Sequence, residues 1–194
     1  MLMAMAWAGH AVQAGAALEF KLWREATAIF LGSSPGGCEP LGLAVTLRRR
    51  GLVPEVFVSH AGPYLTTAIR SDELQRITRL AQDEFRREAD ELGVPVHLTP
   101  LGESGLMETL DADASAIVLV SGYRMLRRHV PHWVFAYGRT GRHVLVHDPD
   151  GGGDSHQHMA GRSMAIPLPA FARWSRYGAD DLRAAVVIRK GLAQ

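Results

Sequence analysis

The sequence predicts an α+β fold, a helical first half packed on a mainly antiparallel sheet, and two observations carry that prediction. Apolar residues recur at helical spacing through much of the chain as far as about Leu92. From Ala116 onward they gather instead into short runs rich in Val, Ile and aromatic residues, separated by turn signals. With 194 residues, of which 47% are hydrophobic, the chain can bury one sizeable core, so residues 1–194 are read as a single domain.

Helical spacing runs from Leu2 to about Val12 and from Leu18 through Leu22 and Ala26 to Phe30, with Gly15 between the two runs. Gly32 to Gly37 is a loop by composition, and Cys38 to Arg50 follows as a helix closed by Gly51. A short strand is expected at Glu55 to Ser59. The charged helix after it is capped by Ser71, favoured at its positive end by Asp72 and Glu73, and reaches about Leu92. In the second half, Ile117 to Val120, His132 to Tyr137, His143 to Val146 and Ala184 to Ile188 read as strands. Thr140-Gly141-Arg142 forms a tight hairpin between the second and third, and Pro169 to Tyr177 supplies a short helix before the last.

A formal net charge of +1 leaves no electrostatic bias toward nucleic acid or an acidic membrane surface. The apolar N-terminus is interrupted by His10, Gln13 and Glu19 short of a membrane span, and no membrane span is expected. Cys38 is the one cysteine, which excludes an internal disulfide and fits a reducing, cytoplasmic setting. No phosphate loop, zinc knuckle or nucleic-acid motif is present. His156-Gln157-His158 lacks an element to fix it, and Asp148, Asp150 and Asp154 lack calcium-loop spacing, so neither metal nor another cofactor is expected.

Chemistry is suggested most strongly by His132, which opens one strand, and Asp148, sixteen residues later, which closes its neighbour. Across a hairpin the two can meet near one end, where a carboxylate would fix the tautomer of an imidazole base. A strand-edge His beside a turn-forming Asp-Pro is the competing reading. Cys38, after Gly36 and Gly37, stands near a helix N-terminus that favours thiolate, while Glu39 opposes it. Cys38 is thus a candidate nucleophile or a structural thiol. Trp133, next to His132, is placed to wall a cleft.

The His-Trp-Val strand, the His-Asp-Pro ending, the Leu22-Trp23-Arg24-Glu25-Ala26-Thr27 helix, Gly36-Gly37-Cys38 and Arg176-Tyr177-Gly178 together resemble a bacterial branch of cysteine peptidase family thirty-nine. Its best-known members are papain-fold peptidases that cut double-glycine leaders from bacteriocin precursors. The resemblance implies a papain-like fold, His132 as general base, Asp148 as orienting acid, and a peptide or peptide leader as partner. It also implies a role for Gly36, Gly37 and Trp133 in holding the peptide. In that family a Cys-Gly-Pro-Ala turn, with a Gln before it, heads the first core helix, and here Leu2 to Ala6 matches the helix after the turn. The expectation is therefore either a longer reading frame that restores the Cys or a pseudo-peptidase that binds peptide without cleavage. Some relatives resemble fusions to an upstream acetyltransferase domain.

Overall fold

The computed structural model describes residues 1–31, 34–66, 69–150 and 163–190. Its centre is a seven-stranded sheet, mostly antiparallel, built from β3 (Val53–Val58), β4 (Val96–His97), β5 (Ala114–Ser121), β6 (Pro131–Thr140), β7 (His143–His147), β8 (Met164–Pro167) and β9 (Ala184–Arg189). The strand order is β4-β3-β9-β5-β6-β7-β8, and β3 with β4 is its parallel pair. Strand β5 is buried on both faces almost throughout, which is why its sequence is a continuous apolar run rather than an alternating one.

Each face of the sheet carries its own apolar cluster. On one side Val56, Ile117, Leu119, Phe135 and Val186 pack with Leu22, Leu41, Val45 and Ala89 from helices α2 (Ala16–Ala26), α3 (Pro40–Arg48) and α4 (Asp72–Glu91). Helix α1 (Leu2–Trp7) adds Met5 to this side, and its Trp7 ring meets Phe135 edge-on with centroids 6.5 Å apart. On the other side Val118, Val120, Val134, Val144, Val146 and Val187 pack with Leu106 and Phe171 from α5 (Glu103–Asp111) and α7 (Leu168–Trp174). A one-turn helix, α6 (Gly122–Leu126), follows β5 directly.

Local chemistry explains the best-defined boundaries. Ser71 Oγ accepts from Leu74 N at 3.3 Å to start α4, with Asp72 and Glu73 in its first turn. Gln82 of α4 then clamps the preceding loop, accepting from Tyr64 N and donating to Tyr64 O, both at 2.7 Å. At α3 the buried Glu39 is the cap, accepting from Leu41 N at 3.0 Å and from Gly42 N. Gly42 is required there, because a Cβ would stand 2.7 Å from Ala26 O and 2.9 Å from the Phe85 ring.

Several boundaries differ from the sequence expectation. The run from Leu18 to Phe30 is a helix only to Ala26, after which Thr27–Leu31 forms β1 and pairs with β2 (Ser34–Cys38). The Gly-rich segment expected as loop thus contains a strand. The next helix begins at Pro40, not Cys38, because Glu39 adopts the extended cap conformation and Pro at the first helical turn suits a position with no hydrogen bond to give. The first helix ends at Trp7 instead of about Val12. The sequence expectation has no counterpart for helices α5 and α6 or strands β4 and β8. The His156 and His158 loop, with Asp154, lies outside the described residues.

Candidate active site

The hairpin β6–β7 positions the two residues singled out by spacing. Gly141 takes the first central position of the turn with φ +55, a left-handed conformation that suits glycine, while Thr140 pairs with His143. From there Arg139 pairs with Val144 and Gly138 with Leu145. Beyond Tyr137 the register shifts by one residue, so that Ala136 faces Val146 and Phe135 faces His147. This bulge decides the site. A regular ladder from the turn would bring Asp148 opposite Phe135, and therefore to the sheet face away from His132. The extra residue at Tyr137 turns Asp148 instead to the face of Val134 and His132, one diagonal step from the histidine.

The result is a hydrogen bond of 2.6 Å between His132 Nε2 and Asp148 Oδ1. The His132 side chain is 13% exposed and that of Asp148 4%. Burial by itself would raise the Asp148 carboxyl. The hydrogen bonds from His132 and from Asp150 N, at 2.9 Å, together with the charges of His132 and Arg128, outweigh burial and hold the group below its ordinary range. An ionised carboxylate only accepts, so Nε2 carries the imidazole proton and Nδ1 presents its lone pair. An imidazole so fixed can take a proton at Nδ1 while Asp148 stabilises the imidazolium.

Trp133 faces the opposite side of the sheet, in the cluster that holds α1 to α4. Its indole donates to Cys38 O at 3.1 Å, which docks the end of β2 against the strand that carries His132. Gly36 and Gly37 lie in β2, with Gly37 paired to Ile29. This link between the Gly-Gly-Cys segment and the His-Trp segment had no signal in the sequence, since the two are 95 residues apart. Met1, like Cys38, is partly buried against the cluster that holds α1 to α4. The start of α1 therefore lies on the sheet face of Trp133 and Cys38, opposite that of His132.

Cys38 itself is partly buried. Its Sγ is 4.0 Å from Trp23 O, with Thr27 also at hand. Burial pushes the thiol up to about 11, with Glu39 adding to the rise, while the Met1 charge and Thr27 lower it in part. At pH 7 the thiolate fraction is thus on the order of 10⁻⁴. Activation by the helix N-terminus does not reach the sulfur, because Glu39, not Cys38, occupies the cap.

No group of three or more His, Cys, Asp or Glu side chains arranged to hold a metal ion occurs among the described residues. No helix among them is long and apolar enough to cross a membrane. No curated protein matches the chain. A family model does match, over residues 1–189, and its description agrees with the resemblance carried by the His132 and Asp148 strands. The chain belongs to that family, DUF3335, the Peptidase_C39 like family.

Proposed function

We propose that this chain is a single-domain, papain-like member of the peptidase-like family whose site recognises an extended peptide of the double-glycine leader type. In this reading His132 is the general base and Asp148 the carboxylate that orients it. The 2.6 Å bond between His132 Nε2 and the buried Asp148 carries the reading, because it leaves Nδ1 as the atom that would take a proton from a nucleophile. A peptide path along Gly36, Gly37 and Trp133 rests on the family resemblance alone, since Trp133 faces away from His132 and its indole is held by Cys38 O.

A second reading, peptide binding without cleavage, is favoured by one observation: burial holds Cys38 as a thiol at neutral pH. Both readings are tested on the purified chain by fluorescence anisotropy and cleavage assays with labelled extended peptides, some ending in Gly-Gly. The expected result is saturable binding that His132→Ala or Trp133→Ala weakens, with no turnover that depends on Cys38. The absence of saturable binding or cleavage for every peptide would refute the proposal. Rapid alkylation of Cys38 that requires His132, with cleavage lost in Cys38→Ala, would overturn the non-cleaving reading and make Cys38 the nucleophile.

A further inference from the structure

A second concave site lies on the sheet face opposite α1 to α4, where α5, α6 and α7 leave a cavity of about 690 Å³ over β5 and β9. Its floor is apolar, with Val118, Phe171 and Ala185 nearly or fully buried. Its wall is cationic: Arg124, Arg127, Arg173, Arg176 and Arg183 all line it, against Glu103 as the one acidic lining residue among the described residues. Only one of the five guanidinium groups has a carboxylate partner among the described residues, Arg176 with Asp181 at 3.1 Å. Arg124 donates to Arg173 O, and Arg127 lies over the Tyr123 ring at 5.6 Å from its centroid. Those contacts leave their charge uncompensated.

Arg183 is the most informative member. It immediately precedes β9, in the same alternation as Ala185 and Val187, which face the cavity side of the sheet. Its Nε is buried and has no hydrogen-bond partner among the described residues. A buried guanidinium nitrogen without an acceptor is costly, and in a cavity walled by further arginines an oxyanion ligand would supply the acceptor.

We propose that this cavity binds a small organic anion carrying at least two negative charges, such as a phosphomonoester or a dicarboxylate, with its apolar body on Phe171 and Val118. The charge requirement follows from the four guanidinium groups without a carboxylate partner, which one carboxylate could not balance. Guanidinium forks suit the planar or tetrahedral oxyanion, and the apolar floor selects an organic body over a bare ion. The site does not include His132 or Asp148, so the proposal stands independently of the peptidase reading.

The test is isothermal titration of the full chain with phenyl phosphate, phthalate, inorganic phosphate and, as the neutral control, phenol. Phenyl phosphate or phthalate is expected to bind saturably, more tightly than inorganic phosphate, and to weaken as salt is raised. Arg173→Gln, at an exposed side chain, and Arg183→Gln are each expected to weaken binding about tenfold or more, as loss of a charge-assisted hydrogen bond does. Arg183→Lys, which keeps the charge, should retain part of it if Arg183→Gln compromises folding. Arg139→Gln, on the far end of β6, controls for charge alone and should leave affinity unchanged. Phenol binding as tightly as phenyl phosphate, no saturable binding of either organic anion, or affinity insensitive to both Arg173→Gln and Arg183→Gln would overturn the proposal. Inorganic phosphate binding as tightly as phenyl phosphate would overturn the assignment of an organic body.

Discussion

Glu39→Gln should remove a loss of stability that the fold otherwise suffers as pH rises from about 4.5 to 7. Glu39 is fully buried, and that burial pushes its carboxyl up to about 7, against the N–H groups of Leu41 and Gly42 and the charge of Arg86, which pull it down. In the unfolded chain the carboxyl returns to its ordinary value of 4.5. Between those values the native state binds more protons than the unfolded one, so this contribution to stability is complete below about 4.5, is lost as pH rises toward 7, and stays lost above it. At about 1.4 kcal/mol for each tenfold change in proton concentration, ionising Glu39 in place costs about 3 kcal/mol. Gln does not ionise, and its one amide oxygen can accept from only one of the two N–H groups that Glu39 caps, a fixed cost of about 1–3 kcal/mol that does not vary with pH. The stability of the variant relative to the wild type should therefore rise by about 3 kcal/mol between pH 4.5 and pH 8, from a starting value set by the lost cap bond. Urea unfolding of both proteins across this range measures the difference directly, since every other titrating group is shared. A difference that does not change with pH, or a wild type that gains on the variant as pH rises, would refute the reasoning.

Other perturbations test other links. Gly42→Ala should cost about 1–3 kcal/mol in urea unfolding, because the new methyl meets backbone at Ala26 and the Phe85 ring; an unchanged midpoint would contradict the close approach of α3 to α2. Deleting Tyr137 should join Gly138 opposite Leu145 and Ala136 opposite Val146 into one regular ladder that keeps Asp148 on the face of His132, so their hydrogen bond should survive; loss of the imidazole proton signal would contradict the register reading. Iodoacetamide should alkylate Cys38 slowly at pH 7, with a rate that climbs until about pH 11, and Glu39→Gln should shift that profile toward lower pH. A rate already at its plateau at pH 8 would contradict the burial of the thiol.

Much of this was legible in the sequence wherever one local signal dominated. Ser71 with Asp72 and Glu73 announced α4, and the apolar runs of β5, β6, β7 and β9 announced the sheet. The site was legible as residue types and spacing but not as geometry. His132 and Asp148 are sixteen residues apart, yet they share a face only because of the bulge at Tyr137, and the Gly138 that follows it was the one local hint. The β1–β2 hairpin was hidden because Ser34-Pro35-Gly36-Gly37 carries turn chemistry, and pairing with Thr27–Leu31 overrides it. The cationic cavity could not be read at all: its arginines come from α6 and α7, the residues just after them and the residue before β9, and only the packing of α5, α6 and α7 over the sheet gathers them.

The central claim is that Asp148 holds His132 as an oriented base. Long-range proton–nitrogen correlation of the imidazole at pH 8 tests it most directly, because the two ring nitrogens report separately which one carries the proton. The account predicts an Nε2–H tautomer with a strongly deshielded proton in the wild type, and loss of that signal with mixed tautomers in Asp148→Ala. An Nδ1–H tautomer, or an Nε2–H signal indifferent to Asp148→Ala, would contradict it.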